Sequence, residues 1–176
     1  MDTKVSAYDP ANDLIDRLAG LVPGSKTYET RHKRDKVAAA TQGSYDTLFS
    51  PDLPGLSLVE RLLVALYASR LTPSSTLLAH YREQAVAAGA DHSLIQLIAE
   101  GEPSEASSAR LVAMLAFTRK LIENPVEGDR DALLALPQAG LSTPEVVVLS
   151  QLIAFLSYQV RLVAGLIAMK SLEESA

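Results

Sequence analysis

The sequence predicts an all-α protein. Two observations carry that expectation: apolar residues recur at helical spacing through most of the chain, and no stretch alternates with the period of two that marks a strand. A third is punctuation, since Ser, Thr or Asp repeatedly stands just before an apolar run and Gly or Pro just after it. At 176 residues the chain suits one domain, or a domain with an appendage. Apolar residues make up 48% and aromatics only 5%, so the core must be built from Leu, Ala, Val and Ile.

Residues from about Asn12 to Leu21 read as a short helix with Leu14, Leu18 and Leu21 on one face, broken by Val22-Pro23-Gly24. A longer helix is expected from about Thr27 to Phe49. Its first half, ETRHKRDK, reads as solvated or docked on a partner subunit, with His32 a surface histidine, and Gly43 weakens its second half. Ser50 to Gly55 reads as a loop. It divides an N-terminal helical extension, residues 1–50, from a helical domain, residues 51–176.

Ser57 and Glu60 form a capping-box pattern that opens a helix to about Leu71. Thr72-Pro73 is expected to open the next helix, with Thr as the cap and Pro in the first turn, and Gly89 to end it. So short a connection favours an antiparallel pair. Asp91 caps a helix that Gly101 closes, and Ser104 begins one running to about Asn124. After a turn at 125–128, a short helix spans Asp129 to Leu136. Ser142 and Glu145 repeat the capping pattern and open the last helix, to about Ser171, beyond which SLEESA is expected to fray. That helix is apolar nearly all round and reads as the most buried helix of a soluble protein, because a membrane span would be penalised for Gln151, Gln159 and Arg161. Leu-Ser-x-x-Glu occurs at both 56–60 and 141–145, a weak sign of internal duplication.

Composition also excludes chemistry. Without Cys there is no disulfide, thiolate ligand or thiol redox step in this chain. The net charge of -5 gives no reason to expect nucleic-acid binding. The start, MDTKVSAYDPAND, lacks a basic apolar leader, which makes the cytoplasm the expected compartment, with no membrane association. No metal site is expected, since no His-x-x-x-His or Glu-x-x-His spacing occurs, and no cofactor is expected either.

Helical spacing puts Glu60 and Tyr67 on one face of the first paired helix, and Thr76 and His80 on one face of the second. If those faces meet, a carboxylate, a phenol, a hydroxyl and an imidazole converge. His80 can shuttle a proton near neutral pH, or can be a structural histidine. Glu60 can be a helix cap or a site residue. Arg161, within an apolar helix, needs a carboxylate, a bound anion or a route to the surface, and Tyr158 shares its face.

The stretch around these residues resembles the carboxymuconolactone decarboxylase family, which includes the alkylhydroperoxidase D-like proteins. Aligning His80 with the family histidine places Thr76 and Pro73 where the family has its two cysteines, and Glu60 close to the family glutamate. HYREQAVAAGAD and FLSYQVRLVAGL are also similar to family segments, so the resemblance spans roughly residues 50–170, and the N-terminal extension is similar to that of a peroxidase-related subgroup. It implies a helical bundle that assembles as a homodimer or larger homo-oligomer. It implies acid–base chemistry on a small molecule, with His80, Glu60 and Tyr67 as catalytic candidates and Arg161, Tyr158 and Thr76 as substrate-binding candidates. Thiol-dependent peroxidase chemistry is not among the implications, because the thiol pair is missing. The alternative is a non-catalytic helical module that assembles with itself or with a cysteine-bearing relative.

Overall fold

A computed structural model of the protein describes residues 8–101 and 108–175. The chain is all-α, with 77% helix and no strand among the described residues. Two compact units emerge. Among the described residues, one spans positions 49 to 160 and the other joins residues 8–48 to residues 161–175. The boundary near residue 50 is where the proline-rich loop puts it, but the C-terminal part of the last helix belongs with the N-terminal unit rather than with the larger one.

In the larger unit, α4 (Leu58–Leu71) is the central element. Every residue from Arg61 to Ser69 is buried, and α5 (Ser75–Ala87), α6 (His92–Glu100) and α7 (Ala109–Glu123) all pack against it. Burial on all sides explains its apolar circumference, since each heading of the helix meets another apolar surface. Ser57 and Glu60 form the capping box in full. The α4–α5 connection differs from the sequence expectation. Thr72 closes α4, and the Ser74 hydroxyl, not Thr72, accepts from the Leu77 N–H to cap α5, so Pro73 lies outside both helices. Gly89, at φ +80, then lets the Ala90 N–H turn back to the Ala85 carbonyl and close α5.

Asp91 caps α6 as its position suggests. Ser108 caps α7, and the expected start of that helix at Ser104 lies outside the described residues. A 3-10 turn at Pro125–Glu127 leads to α8 (Arg130–Gln138), which packs on α7. The last helix, α9 (Thr143–Glu174), has 32 residues and so is roughly 48 Å long. The expectation that it is the most buried helix is overturned, because that place belongs to α4. Only 39% of the most apolar stretch of α9 is buried; among the described residues it alone is long and apolar enough to cross a membrane, at mean hydropathy 1.8.

The smaller unit contains α1 (Leu14–Ala19), α2 (Lys26–His32) and α3 (Asp35–Leu48). The single helix expected from Thr27 to Phe49 is broken at Lys33-Arg34. Ile15, Ala19, Leu21, Val163 and Leu166 form this unit's core. The expectation of a fraying tail also fails, for a specific reason: the Glu173 carboxylate accepts from the N–H groups of Lys26 (2.7 Å) and Thr27 (3.0 Å), and so satisfies the N-terminus of α2. Those bonds hold the Glu173 carboxyl below the usual range.

Most of the charged run around His32 is exposed, Glu29, Thr30 and Lys33 to Lys36 among it, but Arg31 and His32 turn inward. Arg31 lies 3.1 Å from Asp13 and 3.0 Å from Asp16, and His32 Nε2 lies 2.6 Å from Asp16. All four side chains are largely buried. Asp13 is also the cap of α1 and accepts from the Tyr8 phenol. Burial raises the Asp16 carboxyl above its ordinary value, against the pull of His32 and Arg31. The surface histidine of the sequence reading is a stacked and paired one, with its ring 4.2 Å from that of Tyr28.

Candidate functional site

Glu60 and Tyr67 share a face of α4, as their spacing requires, but that face turns to α7. Glu60 meets Arg110 and Tyr67 meets Arg119, both α7 residues. Of the two roles open to Glu60 in the sequence, helix cap or site residue, the structure shows the cap and adds a bond to Arg110. One oxygen, Oε2, accepts from the Ser57 N–H (2.8 Å) and hydroxyl, while Oε1 accepts from Arg110 Nε at 2.7 Å. Both carboxylate oxygens are therefore engaged.

Arg110 also reaches the second capping box. Its Nη2 donates to Glu145 Oε1 at 2.6 Å and its Nη1 to the Gly140 carbonyl at 3.1 Å. Glu145 Oε2 accepts from the Ser142 N–H. One guanidinium thus ties together the two Leu-Ser-x-x-Glu helix starts. With Arg110 as the largest cause and the Ser142 bonds next, the Glu145 carboxyl is held down at about 2. The same carboxylates raise the Arg110 guanidinium above its ordinary value.

Tyr67 is fully buried, and its hydroxyl has no hydrogen-bond partner. Burial pushes its phenol up, with the Arg119 charge pulling the other way, so it stays protonated at neutral pH. The Arg119 guanidinium lies 5.5 Å from the ring centroid. Tyr67 lines a cleft of about 420 Å³ whose other walls are Val112, Ala116, Arg119, Lys120 and the 123–127 turn. Neither Glu60 nor His80 lines it.

His80 is half-buried on α5, one turn after the half-buried Thr76. Its ring stands edge-on to that of Tyr81, 5.0 Å away. Tyr81 is fully buried and donates to Gln159 Oε1 at 2.6 Å, while the Nε2 amide of the equally buried Gln159 has no acceptor. Tyr158 is exposed on α9. Arg161 is exposed as well, which is the route to the surface that an arginine in an apolar helix requires. Among the described residues no group of three or more His, Asp or Glu side chains could hold a metal ion.

Sequence reasoning missed Arg61, Arg110, Arg119 and Gln159. Arg61 left a readable signal, being a charge within the apolar run LLVALYA and its flank LVER. It is fully buried and donates to the Ser50 carbonyl (2.9 Å) and the Ser57 carbonyl (3.3 Å), and burial lowers its guanidinium below the ordinary value. Together these features define an all-α protein with a helical unit built around one buried helix, an arginine clamp and a tyrosine-floored cleft. No family model matches the chain, and no curated protein matches it in sequence.

Proposed function

We propose that this chain is a thiol-free relative of the carboxymuconolactone decarboxylase and alkylhydroperoxidase D-like proteins, a cytoplasmic homo-oligomer that acts on a small molecule by acid–base chemistry with His80. The observation that carries this reading is the setting of His80. A half-buried imidazole stands beside the buried Tyr81–Gln159 pair, whose amide donor is unsatisfied. Proton transfer near neutral pH suits an imidazole so placed, and Thr76 on the same helix face supplies a hydroxyl for orienting a substrate. The resemblance names the probe. Carboxymuconolactone is incubated with the protein in deuterated buffer, and carbon dioxide release and deuterium uptake are followed. Turnover that falls to background in His80→Ala is the expected result; turnover equal in the two proteins overturns the reading.

The second reading, a non-catalytic module that assembles with itself or a cysteine-bearing relative, is favoured by the exposed apolar side chains of α9, among them Val147 at 50% and Leu172 at 73% exposure. Exposed apolar side chains are what an interface covers. Absence of turnover together with an oligomer in solution supports this reading over the first.

A further inference from the structure

The cleft between α4 and α7 contains a hydrogen-bonding demand that the chain does not meet. The Tyr67 hydroxyl is fully buried at the cleft wall and has no partner. The Arg119 guanidinium lies over the ring face. A guanidinium only donates, however, so it cannot accept the phenol proton whatever its alignment. The donor side of the phenol therefore stays unmet, and only an acceptor can meet it.

The charges of the wall specify what kind. Two carboxylates line the cleft, and both are answered locally: Glu123 lies 3.9 Å from Arg119, and Glu127 accepts from the Asn124 amide at 2.7 Å. Lys120 lines the same cleft and has no carboxylate partner among the described residues. A phenol that donates, an unanswered ammonium and a guanidinium at one wall are the groups that hold an oxyanion. The remaining wall, Val112, Ala116 and the Tyr67 ring, is apolar. The Arg119 side chain is about half exposed, and its ties are a long contact to Glu123 and a position over the Tyr67 ring, both weak enough at an exposed site for a ligand to displace.

The geometry points to a binding site in this cleft for a small amphiphile with one oxyanion head and an apolar body, the head accepting from the Tyr67 hydroxyl beside Arg119 and Lys120. A cavity of about 420 Å³ is within the usual range for a small-molecule site. The site is independent of His80 and of the chemistry proposed there. It makes Tyr67 a ligand-binding residue rather than part of an acid–base centre.

The experiment titrates the full-length chain with octanoate, octyl phosphate and octan-1-ol by calorimetry, and repeats each titration on Tyr67→Phe, Lys120→Gln and His80→Ala. Tyr67→Phe keeps the ring and removes only the hydroxyl, and Lys120→Gln alters a side chain outside the core, so both are compatible with folding. One or both of the anions should bind, octan-1-ol at least tenfold more weakly. Which anion binds more tightly distinguishes a carboxylate ligand from a phosphate one. Tyr67→Phe and Lys120→Gln should each weaken the anion about tenfold while leaving octan-1-ol unchanged, and His80→Ala should change neither. No anion binding at millimolar concentration, or equal affinity in Tyr67→Phe and the unaltered protein, overturns the site. A loss of anion binding in His80→Ala overturns its independence from the proposed acid–base centre.

Discussion

Replacing Arg110 tests whether the two capping boxes are separate local signals or one linked structure. The side chain makes three bonds, to Glu60, to Glu145 and to the Gly140 carbonyl. Hydrogen bonds to charged groups contribute about 1.5–3 kcal/mol each when shielded, and exposed ion pairs about 0–1 kcal/mol. The clamp falls between these limits, with Arg110 at 26%, Glu60 at 23% and Glu145 at 17% side-chain exposure. Arg110→Ala should therefore cost about 2–3 kcal/mol, and Arg110→Lys should recover only part, because an ammonium lacks the planar fork. Acid supplies a second signature. Glu145 is depressed from its ordinary 4.5 to about 2, so its contribution is fully present above about pH 4.5 and is lost as pH falls through 2. A shift of that size has a ceiling of about 3 kcal/mol, which screening at a partly open site reduces to about 1–2 kcal/mol. The assay is urea unfolding followed by helical circular dichroism, from pH 7 to pH 2.5. The stability gap between the unaltered protein and Arg110→Ala should be widest near neutrality and should narrow below pH 4.5. A gap under about 0.5 kcal/mol at pH 7, or one that stays constant into acid, would refute the clamp as an energetic link.

Arg61→Ala should destabilise the larger unit by about 3 kcal/mol, since it opens a cavity and strips a donor from the Ser50 carbonyl, while Arg61→Met should cost clearly less by keeping most of the volume; equal urea midpoints for the two variants would contradict this. The purified chain should reduce no organic hydroperoxide with a dithiol reductant above the level of heat-killed protein, because it contains no cysteine. If the proposed self-association holds, light scattering at micromolar concentration should return at least twice 18.8 kDa; the monomer mass would overturn it.

The helices were legible wherever one local interaction determines them. Asp91, Asp129 and the two Ser-x-x-Glu boxes announced their helices because a cap is a contact between residues two or three apart. The break at Lys33-Arg34 was not legible. Nothing in KRDK forbids a helix, and the break accompanies the pairing of Arg31 and His32 with Asp13 and Asp16, which are 15 to 18 residues away. The Ser74 cap was hidden by Thr72-Pro73, an equally good local pattern two residues earlier. Of the candidate site, the shared face of Glu60 and Tyr67 was legible from the helical repeat, but which neighbour that face meets was not. That choice depends on packing, and α7 meets it with arginines at 110 and 119.

Arg61 and Arg161 show why residue type and helix composition cannot by themselves locate a buried charge. Both stand in apolar helices, and the same argument applies to each: an arginine there needs a partner or a path to water. Arg161 reaches the surface, on a helix with less than half of its apolar stretch covered. Arg61 cannot, because α4 is enclosed along its whole middle. It is held instead by main-chain carbonyls at Ser50 and Ser57, the loop and helix start that precede it. The buried arginine therefore pins the chain segment that leads into α4, while the Glu60 carboxylate beside it, through Arg110, pins the segment that leads into α9. The last residue of one capping motif and the arginine that follows it thus fix the entries of the two helices that begin Leu-Ser-x-x-Glu. That gives the repeated motif a structural use that needs no duplication to explain it.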